Sequence, residues 1–90
     1  DSLWNSYGIR LSSITGFSRD DRNSSGLILL EMDRSSPFYR TLEIGDILLR
    51  VNGTALRSED NLLNFLDGKN KSIEFDILRN GASKTIKMKL

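Results

Sequence analysis

The chain has 90 residues, of which 13 are basic and 12 acidic, and a formal net charge of +1. This length suits one domain with a small core. The balanced charge argues against a nucleic-acid partner. Cysteine and histidine are both absent, so disulfides and thiolate chemistry are excluded, and the commonest general base and metal-binding side chain is missing. No apolar run approaches the roughly 20 residues that span a bilayer, so we expect no direct membrane insertion by this domain.

The sequence begins at Asp1 rather than Met. We therefore expect residues 1–90 to be a single domain excised from a larger protein, whose other segments are not visible here.

The first regular element that the sequence predicts is a strand over 9–14. Ile9 and Leu11 alternate with Arg10 and Ser12, as in a strand with one buried face. The residues before it show no regular pattern.

A polar connection over 15–25 follows, with Phe17 as its only apolar anchor, and it predicts a surface loop. Gly26 then opens four consecutive apolar residues, 27–30. Such a run after a glycine favours a central strand.

The middle of the chain predicts a short helix and a buried strand. Ser36 suits a helix N-cap and Pro37 the first helical position, and only one or two turns fit before Gly45. The apolar run 47–51 ends at the turn Asn52-Gly53, which predicts a strand buried on both faces.

A brief strand at 55–56 and a second helix over 59–67 come next. Ser58 is the expected N-cap, and Gly68 the expected stop. Acidic residues in the first turn suit the helix dipole. The apolar stripe of this helix consists of Leu62, Leu63, Phe65 and Leu66.

The chain ends in a predicted β-hairpin around Asn80-Gly81. Acidic Glu74 and Asp76 share an outward face with basic Lys87 and Lys89 and can pair across the strands. The residues expected on the buried face are Ile73, Phe75, Ile77, Ile86, Met88 and Leu90.

No catalytic set or metal site is visible. Serines are plentiful, but no positioned base accompanies them. The acidic pairs Asp20-Asp21 and Glu59-Asp60 lack the alternating oxygen spacing of a calcium loop. We therefore expect no catalytic residue, no metal and no cofactor.

The remaining constellation is Tyr7-Gly8-Ile9 together with the helix 59–67. A glycine between two large apolar residues, directly before a strand, lets backbone N–H groups converge as a site for a carboxylate. If the strand is an edge, it can accept an extended peptide, and the helix would form the other wall of the groove. In the alternative interpretation, Tyr7, Ile9 and Leu11 are core residues and the helix only closes the barrel.

The stretch Leu42–Gly53 is the most specific motif in the chain. It reads LEIGDILLRVNG and resembles the Leu-x-x-Gly-Asp-x-Ile-x-x-Val-Asn-Gly pattern of PDZ domains, specifically the circularly permuted bacterial kind in HtrA/DegP-type serine proteases. Weaker resemblances follow the family's order over nearly the whole chain. They are the first strand and linker at Ile9–Arg22, as in a second, C-terminal PDZ domain, the Gly-initiated strand Gly26–Met32, Ser36-Pro37, the helix from Ser58 through Leu62 and Leu66, and the turn Arg79-Asn80-Gly81.

The resemblance implies an α+β, mainly β fold: a PDZ-like, partly open barrel or sandwich of five to six strands capped by two helices. It implies a binding module, not an enzyme by itself, that captures an extended C-terminal segment by β-augmentation. Tyr7-Gly8-Ile9 would form the carboxylate-binding loop, and Leu11 would line the pocket for the ligand's last side chain. The peptide-binding residues that it implies are Tyr7, Gly8, Ile9, Arg10, Leu11, Ser12, Glu59, Leu63 and Leu66, with Leu62 and Phe65 turned to the core.

The implied partners are C-terminal peptides, unfolded or outer-membrane protein segments, and sister subunits of an oligomeric protease in the periplasm or cell envelope. The alternative is a PDZ-like interaction domain of a type II secretion system inner-membrane component. The chain departs from the family at Thr41-Leu42, where Ala-Gly-Leu is usual, and at Phe38 and Tyr39, which replace small alanines. We expect these two bulky residues to form an exposed contact surface.

Overall fold

The computed structural model describes residues 2–18, 22–68 and 71–90, which contain six strands and two helices. In chain order the elements are α1 Ser2–Tyr7, β1 Ile9–Thr15, β2 Ser25–Met32, β3 Ile47–Val51, β4 Thr54–Ala55, α2 Glu59–Leu66, β5 Ser72–Arg79 and β6 Ala82–Lys89. All the strands that the sequence predicts are present. The acidic pair Asp20-Asp21 lies outside the described residues.

The strands form one antiparallel sheet in the order β1-β2-β3-β5-β6, with β4 paired to β3. Within the described ranges the sheet does not close, because β1 and β6 remain at its two edges. This confirms the predicted mainly β, partly open architecture. No helix in these ranges is long and apolar enough to cross a membrane.

One face of the sheet carries the core. Its centre is an edge-on contact between Phe38 and Phe75, with ring centroids 5.8 Å apart. Helix α2 adds Leu62 and Leu66, and helix α1 adds Leu3. The other buried apolar side chains are Ile9, Leu11, Leu27, Leu29, Leu42, Leu48, Val51, Leu56, Ile73 and Ile77.

Residues 37–41 form turns, and the predicted short helix is wrong. The Tyr39 N–H donates to the Ser36 carbonyl at 3.1 Å, and the Thr41 N–H donates to the Phe38 carbonyl at 3.0 Å. These bonds span three residues each. Only one four-residue bond follows them, from the Leu42 N–H to the Phe38 carbonyl at 2.9 Å, and a single such bond does not offset the cost of helix nucleation. The Ser36 hydroxyl accepts the Phe38 N–H at 3.1 Å, so the predicted cap starts a turn.

Phe38 is fully buried, while Tyr39 is 46% exposed. The predicted exposed surface made by both residues is therefore wrong at Phe38. The turn directs the first ring into the core against Phe75 and leaves the second at the surface.

Strand β3 is buried on one face only, which corrects the prediction of two buried faces. Leu48 and Val51 are fully buried, Ile47 and Leu49 are half-buried, and Arg50 is exposed. The register of β3 against β5 shifts between Leu48 and Arg50. Because of this irregularity, Leu48 and Val51 both face the core although they are three residues apart.

The C-terminal hairpin confirms its prediction on β5 and partly on β6. Asn80 and Gly81 have φ of 53° and 80°, as a two-residue turn between twisted strands requires. Ile86 and Met88 are only half-buried, and Leu90 is 41% exposed, because β6 is an edge strand whose end passes beyond the core. Across the strands, Glu74 lies opposite Lys87, but Asp76 lies opposite Thr85 and Lys89 lies opposite Ser72. The predicted charge pairing is therefore in register only at Glu74.

Helix α1 was not predicted. Its six residues bury only Leu3, and so short a helix is marginal without tertiary contacts. Gly8, at φ +66°, ends it.

Candidate functional site

Strand β1 pairs with β2 alone and leaves its other side open. In an antiparallel ladder, the N–H and the C=O of one residue both point toward the partner strand, and those of the next residue both point away from it. The Gly8 carbonyl accepts the Asp33 N–H at 2.8 Å, so Gly8 faces β2. The next residue, Ile9, therefore directs its N–H and C=O to the open edge.

A second set of bonds fixes the alternation farther along β1. Leu11 lies opposite Leu29. The Leu29 N–H donates to the Asp46 carbonyl, and the Leu29 carbonyl accepts the Gly45 N–H, both at 2.8 Å and both on the side of β3. Leu11, and Ser13 two residues later, therefore also turn their backbone groups to the open edge.

Helix α2 lies along β1 and is tied to it at both ends. Just before β1, the Tyr7 hydroxyl donates to the Asp67 carboxylate at 2.9 Å. Toward the end of β1, the Ser13 hydroxyl donates to the Arg57 carbonyl at 3.3 Å. The interval between the two contacts, residues 9–12, spans roughly 13 Å of strand. We call the space between this interval and α2 the groove.

The start of α2 is fixed by a reciprocal cap, which confirms the predicted N-cap. The Ser58 hydroxyl accepts the Asn61 N–H, and the Asn61 side chain accepts the Ser58 N–H, both at 3.2 Å. This capping box satisfies backbone groups that have no partner within the helix. It holds the helix in a fixed position beside β1.

The faces of α2 differ from the prediction at Leu66. Leu62 is fully buried as predicted, and Leu66, four residues later, shares its face and is only 4% exposed. Leu63, one turn after Glu59, is half-buried, as Glu59 is. The predicted groove wall of Glu59, Leu63 and Leu66 therefore contracts to its first two members, because Leu66 belongs to the core.

In the predicted carboxylate-binding loop, Gly8 has a positive φ of 66°, but the N–H groups of the loop do not converge on an open site. The Gly8 N–H donates to the Trp4 carbonyl at 2.9 Å and closes the last turn of α1. Tyr7 lies within that helix. Of the three loop residues, only Ile9 is placed with its N–H toward the open edge. The N–H groups of Tyr7 and Gly8 are not available because both belong to the last turn of α1, a helix that the sequence pattern did not reveal.

The space around Gly8 is tight as well as bonded. A Cβ there would lie 3.1 Å from the Cβ atoms of both Asp33 and Ser36. The Ser36 hydroxyl donates to the Tyr7 carbonyl, which fixes the loop from behind. Glycine is therefore required here by both its φ and its neighbours.

The polar side chains around this end of the groove already have partners within the domain. Burial raises the pKa of the Tyr7 hydroxyl. The Asp67 carboxylate, which accepts a hydrogen bond from this hydroxyl, raises the pKa further. The Arg10 guanidinium lies 3.0 Å from a Glu31 carboxylate oxygen and 5.1 Å from the centroid of the Trp4 ring. Arg10 and Ser12 are exposed on the outer face of the sheet.

The residues that complete this site but were not predicted for it are Trp4, Arg57 and Asp67. The available signal was Trp4, the only tryptophan in the chain, placed four residues before Gly8. The described residues contain no group of three or more acidic side chains that could hold a metal ion. A separate cleft of about 530 Å³ is lined by Asn52, the start of β5 and the end of β6, and none of its lining residues belongs to the groove.

Comparison with known proteins agrees with this geometry. A family model described as PDZ domain matches residues 6–90. The crystal structure of the HtrA3 PDZ domain bound to a phage-derived ligand (FGRWV) superposes with a TM-score of 0.74 at 25% identity, covering 92% of this chain and 81% of that one.

Two structures of the PDZ domain of EpsC from Vibrio cholerae share the fold. The longer superposes with a TM-score of 0.64 at 19% identity, covering all of this chain and 85% of that one. The shorter gives 0.58 at 22% identity, with 93% and 94% covered. No curated protein sequence matches the chain.

Proposed function

The chain belongs to the PDZ domain family, and from this premise we propose that it binds an extended C-terminal peptide along the open edge of β1. PDZ domains are peptide-binding modules and are not catalytic by themselves. The observation that carries the proposal is the edge itself. The backbone groups of Ile9, Leu11 and Ser13 point away from β2, and α2 lies alongside them. A peptide that adds as a further strand would satisfy these groups.

The proposed ligand runs antiparallel to β1 and ends near Gly8. Its last side chain would enter beside the half-buried Leu63 of α2, so an apolar residue is favoured there. Leu11, predicted to line this pocket, is 3% exposed and belongs to the core, as Leu66 does. The HtrA3 PDZ domain, 25% identical, has a bound ligand that ends in Trp-Val, which supports an apolar last residue. Side chains that point to the outer face would pass beside Arg10 and Ser12.

The parent protein that we propose is an HtrA-type serine protease of the bacterial periplasm. The Leu42–Gly53 motif and the likeness to the HtrA3 PDZ domain support this context. The domain would then present unfolded or outer-membrane protein segments to the protease, or contact sister subunits. The alternative parent, a type II secretion inner-membrane component, requires a membrane anchor in place of a protease domain. The full-length sequence distinguishes the two.

The test is a titration of the isotope-labelled domain with the peptide FGRWV, followed by the amide chemical shifts. We expect shifts at 7–13 and 59–63. Peptides N-methylated at single positions extend the test, because only alternate N–H groups of an added strand face β1. Affinity should fall sharply at every second position. Absence of shifts at millimolar peptide, or shifts confined to 38–40, would refute the proposal.

A further inference from the structure

Helix α1 lies at the end of the groove where a ligand's terminal carboxylate would arrive. Leu3 anchors it in the core, at 2% exposure. The Trp4 ring packs under the Arg10 guanidinium at 5.1 Å. The Tyr7 hydroxyl reaches Asp67, beyond the end of α2. The helix therefore contacts both walls of the groove.

The hydrogen bond from Gly8 to Trp4 removes the donor that a carboxylate would use. A carboxylate is bound well only by several converging N–H groups or by a cation. Here the Gly8 N–H is bound to the Trp4 carbonyl at 2.9 Å, and the nearby guanidinium of Arg10 is paired with Glu31. What remains is the Ile9 N–H, which suits a peptide carbonyl in a ladder.

The charge at this end also opposes a carboxylate. The Asp67 carboxylate lies 2.9 Å from the Tyr7 hydroxyl and belongs to an exposed residue. A second carboxylate placed beside Gly8 would add a like charge at the same end of the groove. An amide or an unbroken peptide chain carries no such penalty.

We propose that α1 covers the carboxylate site, so that with α1 docked the groove accepts an internal extended segment. A free C-terminus is read only after α1 has withdrawn and freed the Gly8 N–H. This inference rests on the proposed function of the β1 edge. The carboxylate of the ligand and the Trp4 carbonyl compete for one N–H, so release of α1 and carboxylate binding are coupled.

The length of α1 makes this exchange accessible. A helix of six residues is marginal in isolation, so its docked state depends on the few contacts above. Changes in helix propensity at exposed positions should therefore shift the docked fraction without altering any core side chain. Asn5 and Ser6 are exposed in α1 and provide such positions.

The test compares two double variants at the same sites, Asn5→Gly with Ser6→Gly and Asn5→Ala with Ser6→Ala. Glycine disfavours the helix and alanine favours it, and two such steps amount to about a twentyfold change in the docking equilibrium. The probe is a tryptophan-free pentapeptide ending in valine, prepared as the free acid and as the C-terminal amide. Calorimetry gives the affinities, and the fluorescence of Trp4, the sole tryptophan, reports the release of α1.

We expect the wild-type domain to bind the two peptides within about threefold of each other. The glycine variant should bind the acid up to about twentyfold more tightly than the alanine variant does, while all three proteins bind the amide equally. In the glycine variant, only the acid should change the Trp4 emission.

The proposal and the function on which it rests fail differently. If the wild-type and both variants bind the acid equally and much more tightly than the amide, with no change in Trp4 emission, α1 does not cover the site, and peptide binding stands. Equal binding of acid and amide by the glycine variant also overturns the covering role. If no protein binds either peptide, both the function and the inference are overturned.

Discussion

The Arg79 guanidinium donates two hydrogen bonds to the Asp46 carboxylate, from Nε to Oδ1 at 2.9 Å and from Nη2 to Oδ2 at 2.8 Å. The Asp46 side chain is 2% exposed, and its Oδ2 also accepts the Glu43 N–H at 2.8 Å. The pair joins the end of β5 to the turn that leads into β3. Hydrogen bonding to Asp46 raises the pKa of Arg79 above its usual value.

Removing the buried carboxylate should destabilise the domain strongly. In Asp46→Ala the Arg79 side chain, 21% exposed, loses its buried partner and keeps only the exposed Glu43 carboxylate at 2.8 Å and the Thr41 carbonyl at 3.1 Å. The Glu43 N–H also loses its acceptor. We expect a loss of about 3 kcal/mol in the free energy of unfolding, measured by urea denaturation. The matched control is Glu31→Ala, which breaks the exposed pair with Arg10 and should cost about 1 kcal/mol or less. Equal losses in the two variants would contradict the structural role of Asp46.

Truncation of the neighbours Phe38 and Tyr39 should change the stability of the domain by very different amounts. Phe38 is fully buried against Phe75, so Phe38→Ala should cost about 3–5 kcal/mol of stability. Tyr39 is 46% exposed, and Tyr39→Ala should change stability by about 0.5 kcal/mol or less. Thermal and urea unfolding of the two variants measure both values. A small loss for Phe38→Ala would restore the surface role that the sequence predicted for it.

The sequence predicts the sheet well because each strand carries a local signal. In β5, Ile73 and Phe75 alternate with acidic residues, and the strand ends near a turn. The alternation and the turn residues therefore both indicate a strand there. The same reasoning fails where tertiary contacts decide. Leu3 alone gives α1 no periodicity, and its burial depends on the core around it. Phe38 follows a helix-start signal but enters the core through a turn.

The predicted groove likewise separates what a local pattern can predict from what depends on tertiary contacts. The strand that begins at Ile9 and the need for a glycine before it were accessible from sequence, because a glycine before an alternating strand is a local pattern. Whether that strand is an edge was left open, because strand order is not a local property. The bond from Gly8 to the Trp4 carbonyl was not, because it depends on a helix that forms only against the folded core.

The acid stability of the domain should depend on Asp76. Its hydrogen bond to Arg50, at 2.9 Å, and then its bond to Thr85, at 3.0 Å, hold the pKa of this carboxyl below its usual value of 3.8. The unfolded chain therefore binds a proton at higher pH than the folded domain does. The stabilisation is fully present above the unfolded pKa and is lost as the pH falls through the folded pKa.

Urea denaturation between pH 6 and pH 2.5 tests this dependence. Asp76→Asn should flatten the loss of stability below about pH 4, because the variant has no proton to take up at this site. Arg50→Gln should flatten it similarly, since the hydrogen bond from Arg50 is the main cause of the shift. Thr85→Ala, which keeps the arginine, should have the smaller effect. An unchanged acid limb in Asp76→Asn would show that other carboxyls control acid unfolding.

Ser13 allows the backbone and the side chain of the β1 edge to be tested separately. Its N–H is placed toward the open edge, and its hydroxyl donates to the Arg57 carbonyl at 3.3 Å, where it ties β1 to the segment before α2. Ser13→Ala keeps the N–H and removes the tie, so peptide affinity should be unchanged or increased. Ser13→Pro removes the N–H, which is not part of the β1–β2 ladder, and places a ring in the path of an added strand.

We expect Ser13→Pro to weaken peptide binding about tenfold or more, since one hydrogen bond and the fit of the strand are both lost. The measurement is calorimetry with the same peptide amide for the wild-type domain and both variants. Amide exchange in β2 serves as the control that the sheet is intact. Equal weakening by alanine and proline would assign the effect to the hydroxyl and its bond to Arg57. Undiminished binding by a folded Ser13→Pro domain would show that the ligand does not extend along β1 as far as this residue.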